Sequence, residues 1–490
     1  MISNNNIKLI SGWLKCNRLL LGDLQGLSLR RRVRLYLVGG TLRDIILGRE
    51  KENPDIDFAL KKGAINFGRQ LSRIIRGGFV VLDKENGCSR VVKKKGNKTY
   101  TLDFTDFRGR DLEEDLRLRD FTINTLALDL GAKEGKGQLI DICGGLEDIK
   151  SKLIRMVQSR AFSDDPLRIL RAFSLAAIFG FKIDKRTQRA IELKKKKIRG
   201  VSPERIRDEV FKILATPCSW EYIRDLNKYK ILELIFPEIR PMQKLRQGPY
   251  HHLDVWGHSL ETLKNLELVF RFFKRNTQIC SYLDSDISSG RKRKELLKLA
   301  ALLHDIGKPK TMRLEKGKLK FYGHESVGSR MIRDIGQRLK LSNEEIRILR
   351  QITFCHLRPG YLADLSPVTP RAKFRFFRDT GSDAVSILLI SLADQRATKG
   401  ALTTPQSRRK HERLIHNFIK FYFLEQKAGK PSRIINGDDL IKNFKLSPSP
   451  LVGKVLKELE ELQAIGKIKS KKEGLSRASK ILGQGAYKNK

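Results

Sequence analysis

The chain has no apolar stretch near the roughly 18 residues that a membrane-spanning helix needs. Its longest candidate, Leu296 to Leu303, is broken by Lys298. The leucines close to the first residue are interrupted by Lys15, Asn17, Arg18 and Asp23, so no signal-peptide core forms there. Cysteine is sparse: Cys16, Cys88, Cys143, Cys218, Cys280 and Cys355 are scattered with no CxxC pair, a pattern expected of reduced, mostly buried thiols in a cytoplasmic protein. Internal repeats and long low-complexity linkers are missing too. Acidic residues are in deficit. The 490 residues carry 55 Asp+Glu against 99 Lys+Arg, leaving +44, a surplus that repels itself unless a polyanion lies against it. Nucleic acid is the first partner that this charge implies, and an anionic membrane surface the second. Hydrophobic content of 40%, with 24 Phe, is enough for packed cores, and the length suggests about three domains.

The pattern of elements changes along the chain. Residues 1–33 read as a basic helical lead-in. Leu35-Tyr36-Leu37-Val38 is a short apolar strand that ends in Gly39-Gly40 and leads into a helical stretch through Leu47. Asp55 to Leu60, Phe79 to Leu82, Ser89 to Val92, Thr99 to Phe104 and Leu126 to Leu130 supply further strands of a mixed α/β block ending near Lys150. From Pro166 to about Ile239 the expectation is all helix, started by the carboxylates of Asp164 and Asp165 before Pro166 and closed by Gly180. Lys194 to Lys197 reads as a solvated basic run. A second helical block, 246–400, holds six of the eight histidines, and the last ninety residues are helical and basic, with the segment from about Ser476 expected to fray.

Two constellations carry chemistry. In the first, Gly39-Gly40 sits at a strand-to-helix turn where backbone N–H groups can approach a phosphate. Asp55 and Asp57, two apart on a strand, point to one face, which suits hard Mg²⁺ ions in a two-metal displacement. Asp103, on the strand Thr99 to Phe104, is a candidate third carboxylate. The bland alternative is a simple turn beside two exposed strand-end residues.

The wider stretch LYLVGGTLRDIILGREKENPDIDFAL resembles the head motif of the class II tRNA nucleotidyltransferase and bacterial poly(A) polymerase family: Gly39, Gly40, Arg43, Asp44, Leu47, Gly48, Asp55 and Asp57 all fall in place. The resemblance implies an α+β protein: a polymerase-β-like nucleotidyltransferase head with a mixed sheet, then all-α neck, HD and tail domains. The corresponding ranges are 1–33 (basic extension), 34–150 (head), 151–245 (neck), 246–400 (HD) and 401–490 (RNA-binding tail). LEEDLRLRDFTINTLALDL (112–130) resembles the family's ribose-recognising segment, implying nucleotide contacts from Arg119, Asp120 and Asn124, with Arg43 and Arg171 nearby in the motif set. Most members carry a second arginine where this chain has Leu118.

DDPLRILRAF (164–173) resembles the base-selecting motif. Asp165 and Arg168, three apart, are expected on one helix face. There a carboxylate accepts from an exocyclic amine and a guanidinium donates to a ring nitrogen, which fits cytosine and adenine and rejects uracil and guanine. The flexible loop that in CCA-adding members follows the strand ending in Phe-Arg-Gly is absent here, since TLDFTDFRG (101–109) runs directly through Arg110 into Asp111-Leu112-Glu113. In the family that absence accompanies enzymes that add only CC. The stretch 435–475 resembles the tRNA-packing tail, whose lysines would meet phosphates.

The second constellation is His258, His304-Asp305, His324, His356 and Asp394, an imidazole and carboxylate set that suits a divalent transition metal. It resembles the HD phosphohydrolase superfamily. The resemblance implies a metal core of His258, His304, Asp305 and Asp394, a second metal at His324 and His356, and Lys308 at a substrate phosphate. His251 and His252 lie just upstream, and His411 and His416 are expected to face solvent. The leading expectation is a template-independent enzyme that uses Mg²⁺ to add C or A from CTP or ATP to the tRNA 3′ end, with phosphohydrolase activity in the HD domain. The alternatives are a poly(A) polymerase on general RNA, or an HD phosphohydrolase with an inactive RNA-binding head.

Overall fold

The computed structural model describes residues 4–49, 53–131, 137–365, 367–428 and 433–483. The chain divides into two compact units, Met1–Ile235 and Phe236–Lys490, each described by itself.

The first unit opens with two helices, α1 (Asn4–Cys16) and α2 (Arg18–Arg31), and then builds the head. Strand β1 (Tyr36–Val38) turns through Gly39 into helix α3 (Gly40–Ile46), followed by β2 (Asp55–Leu60) and α4 (Ala64–Ile75). A meander of β3 (Gly78–Asp83), β4 (Cys88–Lys95) and β5 (Lys98–Asp106) comes next, then helix α5 (Leu112–Arg117) and strands β6 (Ala127–Asp129) and β7 (Gln138–Ile140). These seven strands form one sheet in the order β3-β4-β5-β2-β1-β6-β7. Only β2 and β5 pair in parallel, a crossover that α4 supplies. One face of that central pair is buried, carrying Ile56, Phe58, Leu102 and Phe104, with Phe58 and Phe104 stacked at 5.1 Å. Helix α4 lays Phe67, Leu71 and Ile75 on the same sheet, as the apolar stripe of an amphipathic helix requires.

After the sheet come α6 (Gly145–Lys150), strand β8 (Leu153–Ile154), α7 (Ala161–Asp164) and α8 (Leu167–Phe179), which Gly180 ends in the left-handed conformation. The expected all-helical run is interrupted: Lys182–Ile183 forms strand β9, pairing in parallel with β8. The turn after Gly180 brings this segment back along residues that already present free backbone groups. Helix α9 (Lys185–Lys194) is capped by Asp184, which accepts from the N–H groups of Arg186 and Thr187 at 3.0 and 3.1 Å. The basic run after it is not simply solvated. Lys194 Nζ donates to the Ser159 carbonyl (2.8 Å) and to Ser163 Oγ (2.7 Å), tying α9 to the neighbourhood of α7. Helix α10 (Pro203–Leu214) packs across α8.

The second unit is mostly helical. Its main helices are Val255–Phe272, Arg293–Leu303, His324–Arg338, Asn343–Cys355, Ala384–Ala397 and Pro405–Ala428. Two hairpins depart from the all-helical expectation, Asp286–Ser288 with Arg291–Lys292 and Arg313–Glu315 with Lys318–Lys320. Both turn on two consecutive residues with positive φ, Ser289-Gly290 and Lys316-Gly317, the backbone that a two-residue hairpin demands. The long helix Pro405–Ala428 packs on Ala384–Ala397. His411, expected in solvent, is buried between these helices, with its Nε2 3.1 Å from Ser391 Oγ; its apolar neighbours Leu414 and Ile415 turn that face inward. His416 is exposed, against the rings of Phe272 and Phe273.

The tail helices Gly437–Phe444, Pro450–Ala464 and Lys471–Gly483 enclose a core of their own around Leu440, Val455, Leu459 and Ala478. The segment from Ser476, expected to fray, is helical through Gly483, because Ala478 and Ile481 are buried in that core; residues 484–490 lie outside the described residues. Of the six thiols, expected mostly buried, Cys355 alone is; Cys16 is exposed and the other four are half-buried, Cys88 at a strand end, Cys143 and Cys218 in turns and Cys280 in the short helix Thr277–Leu283.

Candidate active sites in the head and the HD block

The register of the head sheet assembles the first constellation. Asp57 on β2 lies opposite Asp103 on β5, and Asp103 lies opposite Arg90 on β4, so the three side chains line up across adjacent strands. Arg90 donates to both oxygens of Asp103, from Nε and Nη2 at 2.8 Å each. Burial, with Asp103 and Asp55 adding repulsion and Arg119 opposing, pushes the Asp57 carboxyl up to about 6. Asp55 is exposed at the start of the strand, and its carbonyl accepts from Thr41 Oγ1 on α3 at 3.1 Å. Gly39 has φ +77°, and a Cβ there would stand 2.9 Å from Asp57 Oδ2 and 3.4 Å from Arg119 Nη1. Only glycine lets this turn approach the carboxylate so closely. Asp55 and Asp57, the latter destabilised in its charged form, are carboxylate donors that suit a hard divalent cation, while both oxygens of Asp103 are taken by Arg90.

The expected nucleotide contacts form one buried network beside this edge. Arg43 is buried. Its guanidinium donates to Asp44 at 2.8 and 2.9 Å and to Asn124 Oδ1, and it stacks over the Phe179 ring at 4.3 Å. Asn124 donates to Asp120 Oδ1 at 2.9 Å, and Asp120 Oδ2 pairs with Arg171 at 2.8 Å. Burial works to raise Asp120, but Arg171 and the donors from Asn124 and Phe121 outweigh it and hold the carboxyl below its ordinary value. Arg119 is paired with Asp115 at 2.9 Å. Arg43 and Asn124 therefore brace the segment, while Arg119 and Arg171 keep partly open faces.

Asp165 and Arg168 do not share a helix face as expected. Asp165 has extended backbone (φ −142°, ψ 98°) just ahead of α8, because Pro166 disfavours a helical residue before it. Its Oδ1 accepts from Leu167 N–H at 3.2 Å, and its Oδ2 pairs with Arg205 of α10 at 2.8 Å. Arg168 Nη1 donates to the carbonyl of Leu118 at 3.3 Å, so the position where the family usually has arginine contributes through its backbone. The segment Phe107–Arg110 joins β5 to α5 directly, with Asp111 capping α5 through the Glu114 N–H. Arg90, Asp115 and Arg205 were missed by sequence reading. Arg90 was findable only by aligning β4 with β5, and Arg205 carries no signal, being forty positions from its partner.

In the second unit, His304 and Asp305 follow the helix Arg293–Leu303, His324 begins its helix, His356 follows Cys355, and His258 and Asp394 come from Val255–Phe272 and Ala384–Ala397. The six side chains converge. His304, His324 and His356 each place Nδ1 against a backbone carbonyl three residues back, those of Ala301, Phe321 and Thr353, at 2.9, 2.8 and 2.7 Å. That leaves their Nε2 atoms, all buried and without a hydrogen bond, facing Asp305 at 3.3, 3.3 and 3.6 Å. His258 Nε2 sits 2.8 Å from Asp394 Oδ1. Imidazole lone pairs aimed together at a carboxylate repel one another unless a cation lies among them, and fixing Nδ1–H on carbonyls is how metal-binding histidines are oriented. These residues fit a divalent transition metal, and three overlapping triads place donors within 4.8 Å.

Gly307 permits the convergence, since a Cβ there would fall 2.1 Å from the His324 carbonyl. Lys308, expected at a substrate phosphate, is instead buried with Nζ 2.6 Å from both Asp305 Oδ2 and Gln247 Oε1. Burial alone would raise Asp305, but Lys308 and His304 hold it well below the usual carboxylate range. His251 packs its ring edge-on against His258 at 4.7 Å, and burial, then His258 and Lys308, push it down to about 3. His252 is exposed.

Comparison with known proteins follows this geometry. The Poly A polymerase head domain matches residues 35–155, the RNA and SrmB-binding site of polymerase A 180–243, the HD domain 255–397, and tRNA nucleotidyltransferase domain 2 429–478. In fold the chain is similar to a Thermotoga maritima CCA-adding enzyme complexed with tRNA (TM-score 0.64, 22% identity, 96% of each chain). It is also similar to a CCA-adding enzyme in complex with CTP (TM-score 0.67, 21% identity, 97% of this chain and 98% of that one). The chain is 30% identical over 444 residues to the A-adding tRNA nucleotidyltransferase of Deinococcus radiodurans, spanning 89% of this chain and 93% of the relative. It is 30% identical over 449 residues to the CC-adding tRNA nucleotidyltransferase of Thermus thermophilus, spanning 89% and 91%. Likeness sustained along almost the whole of both sequences, through head, neck, HD block and tail in the same order, makes this chain a member of the tRNA nucleotidyltransferase family.

Proposed function

We propose that the protein extends the 3′ end of tRNA without a template, taking C or A from CTP or ATP in the head. The observation that carries this reading is the lateral alignment of Asp57 and Asp103 under the Gly39 turn, with Asp55 at the mouth. Asp55 and Asp57 would hold Mg²⁺, which when bound neutralises the triphosphate and stabilises charge as the tRNA 3′-hydroxyl displaces pyrophosphate from the α-phosphorus. Arg119 and Arg171 keep partly exposed guanidinium groups toward sugar and phosphates, and the Gly39 turn lets backbone N–H groups come close to the phosphate tail. Asp165 and Arg168 read the base edge. Reduced thiols and the absence, among the described residues, of any helix long and apolar enough to cross a membrane are consistent with work in the cytoplasm.

The HD residues support a second centre: His258, His304, Asp305, His324, His356 and Asp394 would hold a divalent transition metal, which supplies Lewis-acid activation for phosphate-ester hydrolysis. The deciding experiment extends three tRNAs, lacking CCA, ending in C and ending in CC, with CTP, ATP or both, at single-nucleotide resolution. Addition that stops at CC marks a CC-adding enzyme and ties the short Phe107–Arg110 connection to that limit. A added only to the CC end marks an A-adder, and completion to CCA marks both. Asp55→Ala should lose incorporation while keeping tRNA binding, and incorporation retained by that variant overturns the head assignment.

A further inference from the structure

The family's head match starts at residue 35, so α1 and α2 lie outside it. They are nevertheless built onto the head. Ile10 and Trp13 are buried as α1 packs on α3, and Leu21, Leu24 and Leu27 are buried as α2 packs near α4. The junction of these helices stands beside the β4–β5 hairpin, and two cavities lie between them. One, of about 110 Å³, is lined by Trp13, Thr41, Asp44, Asp55 and Lys98; the other, of about 570 Å³, by Lys15, Arg18, Lys93, Lys94 and Lys95. Cys16, Asn17 and Tyr100 line both, so the two form one groove that reaches the catalytic edge at Asp55.

We propose that this groove binds the phosphodiester backbone of RNA and holds the tRNA beside Asp55, an inference that rests on the tRNA-extending reading. Seven cations line it: Arg49, which donates to the Ile178 carbonyl, and Lys15, Arg18, Lys93, Lys94, Lys95 and Lys98, against Asp23, Asp44 and Asp55. Asp44 is already taken by Arg43 at 2.8 Å. None of the seven pairs with a carboxylate among the described residues, and Lys15, Arg18, Lys94, Lys95 and Lys98 are exposed. Such a concentration of unpaired charge repels itself until anions arrive. The cations come from two sides, Lys15 and Arg18 from the helix junction and Lys93, Lys94, Lys95 and Lys98 from the β4–β5 hairpin. Mobile ammonium groups in a row follow an extended polyanion, whereas a triphosphate or pyrophosphate calls for donors gathered around one centre. The half-buried ring of Tyr100 at the junction supplies the aromatic face on which a base stacks in grooves of this kind.

The test uses the full chain with Lys93→Ala/Lys94→Ala/Lys95→Ala, with Lys15→Ala/Arg18→Ala, and with a charge-matched control, Lys316→Ala/Lys318→Ala/Lys320→Ala, on a hairpin of the second unit. KM for tRNA, KM for CTP and kcat are measured, with tRNA Kd followed against salt. The triple groove variant should raise KM and Kd for tRNA by about tenfold or more and flatten the plot of log Kd against log salt by about 2–3, at roughly one unit per lost phosphate contact. Its kcat at saturating tRNA and its KM for CTP should stay unchanged, and the control should match the wild type. Unchanged Kd and salt slope in both groove variants overturn the proposal. So does an equal loss in the control, which would be a net-charge effect, or a change confined to CTP or to pyrophosphate inhibition. Wild-type protein that binds tRNA without extending it overturns the head reading instead, and the binding arm still tests the groove.

Discussion

Asp57 is held in its charged form at a cost, and that cost can be measured apart from catalysis. The rise of its carboxyl from 3.8 to about 6 corresponds to roughly 3 kcal/mol at about 1.4 kcal/mol per pH unit. The side chain is half-buried, so screening at its open edge trims this to roughly 1–3 kcal/mol. Asp57→Asn keeps the shape and removes the charge, so in metal-free buffer at pH 7.5 it should stabilise the head while abolishing nucleotide incorporation. For the 235-residue unit Met1–Ile235, at about 2–4 °C per kcal/mol, Tm should rise by roughly 2–12 °C. The sign follows from linkage. A carboxyl that protonates more readily when folded carries its full penalty above about 6 and none below 3.8. The advantage of Asp57→Asn should therefore shrink as pH falls from 7.5 through 6 and vanish near 4. Calorimetry with a chelator present reads both effects, and a destabilised variant at pH 7.5, or a gain independent of pH, would refute the reasoning.

In the second unit, protein dialysed against divalent transition metal should retain it, and Asp305→Ala, which removes a donor shared by two of the three triads, should lose more than His324→Ala, which touches one. Elemental analysis decides this, and full retention by Asp305→Ala rules out the centre. Asp383 is buried and accepts from Arg293 at 2.8 Å and Arg347 at 2.7 Å. Asp383→Ala leaves the buried Arg293 unpaired and should cost about 3–5 kcal/mol in denaturant unfolding; a loss under about 1 kcal/mol would mean that the pair is relaxed in solution.

The strands of the head were legible because alternation and turn residues are local. Asp55 to Leu60 and Thr99 to Phe104 each lie within the observed elements. Their parallel pairing was not, since it depends on the α4 crossover and not on either strand's own pattern. The six imidazole and carboxylate residues of the HD block were legible as a spaced set, and the fold brings all six together. His411 belongs to the same residue type yet is buried, because the helix Pro405–Ala428 packs on Ala384–Ala397, a tertiary fact that no single helix states. The hairpin at Lys316-Gly317 did carry a sequence signal, a positive-φ pair between short alternating runs, which the surrounding helical density obscured. Lys308 shows the limit of spacing: its place after His304-Asp305 fits a phosphate contact, but three residues along one turn also bring it back onto Asp305, and the buried carboxylate takes it.

The same limit shapes Asp165 and Arg168, the pair proposed to read the base. Asp165 is already engaged twice, by the Leu167 N–H and by Arg205. An ionised carboxylate offers about four acceptor positions, so two remain for an exocyclic amine. The contact with Arg205 constrains which way they point. Arg168 is anchored in turn by the Leu118 carbonyl, a contact that survives whatever side chain stands at that position. Loss of the family's arginine there removes a charge from the pocket without removing the group that positions Arg168. On the proposed reading, discrimination then rests on a held acceptor beside a held donor, which an amine next to a ring nitrogen satisfies and a carbonyl next to an N–H opposes at both ends. On that reading selectivity rests on two anchors, from α10 and from the end of α5, and not on the spacing of Asp165 and Arg168 along their own chain.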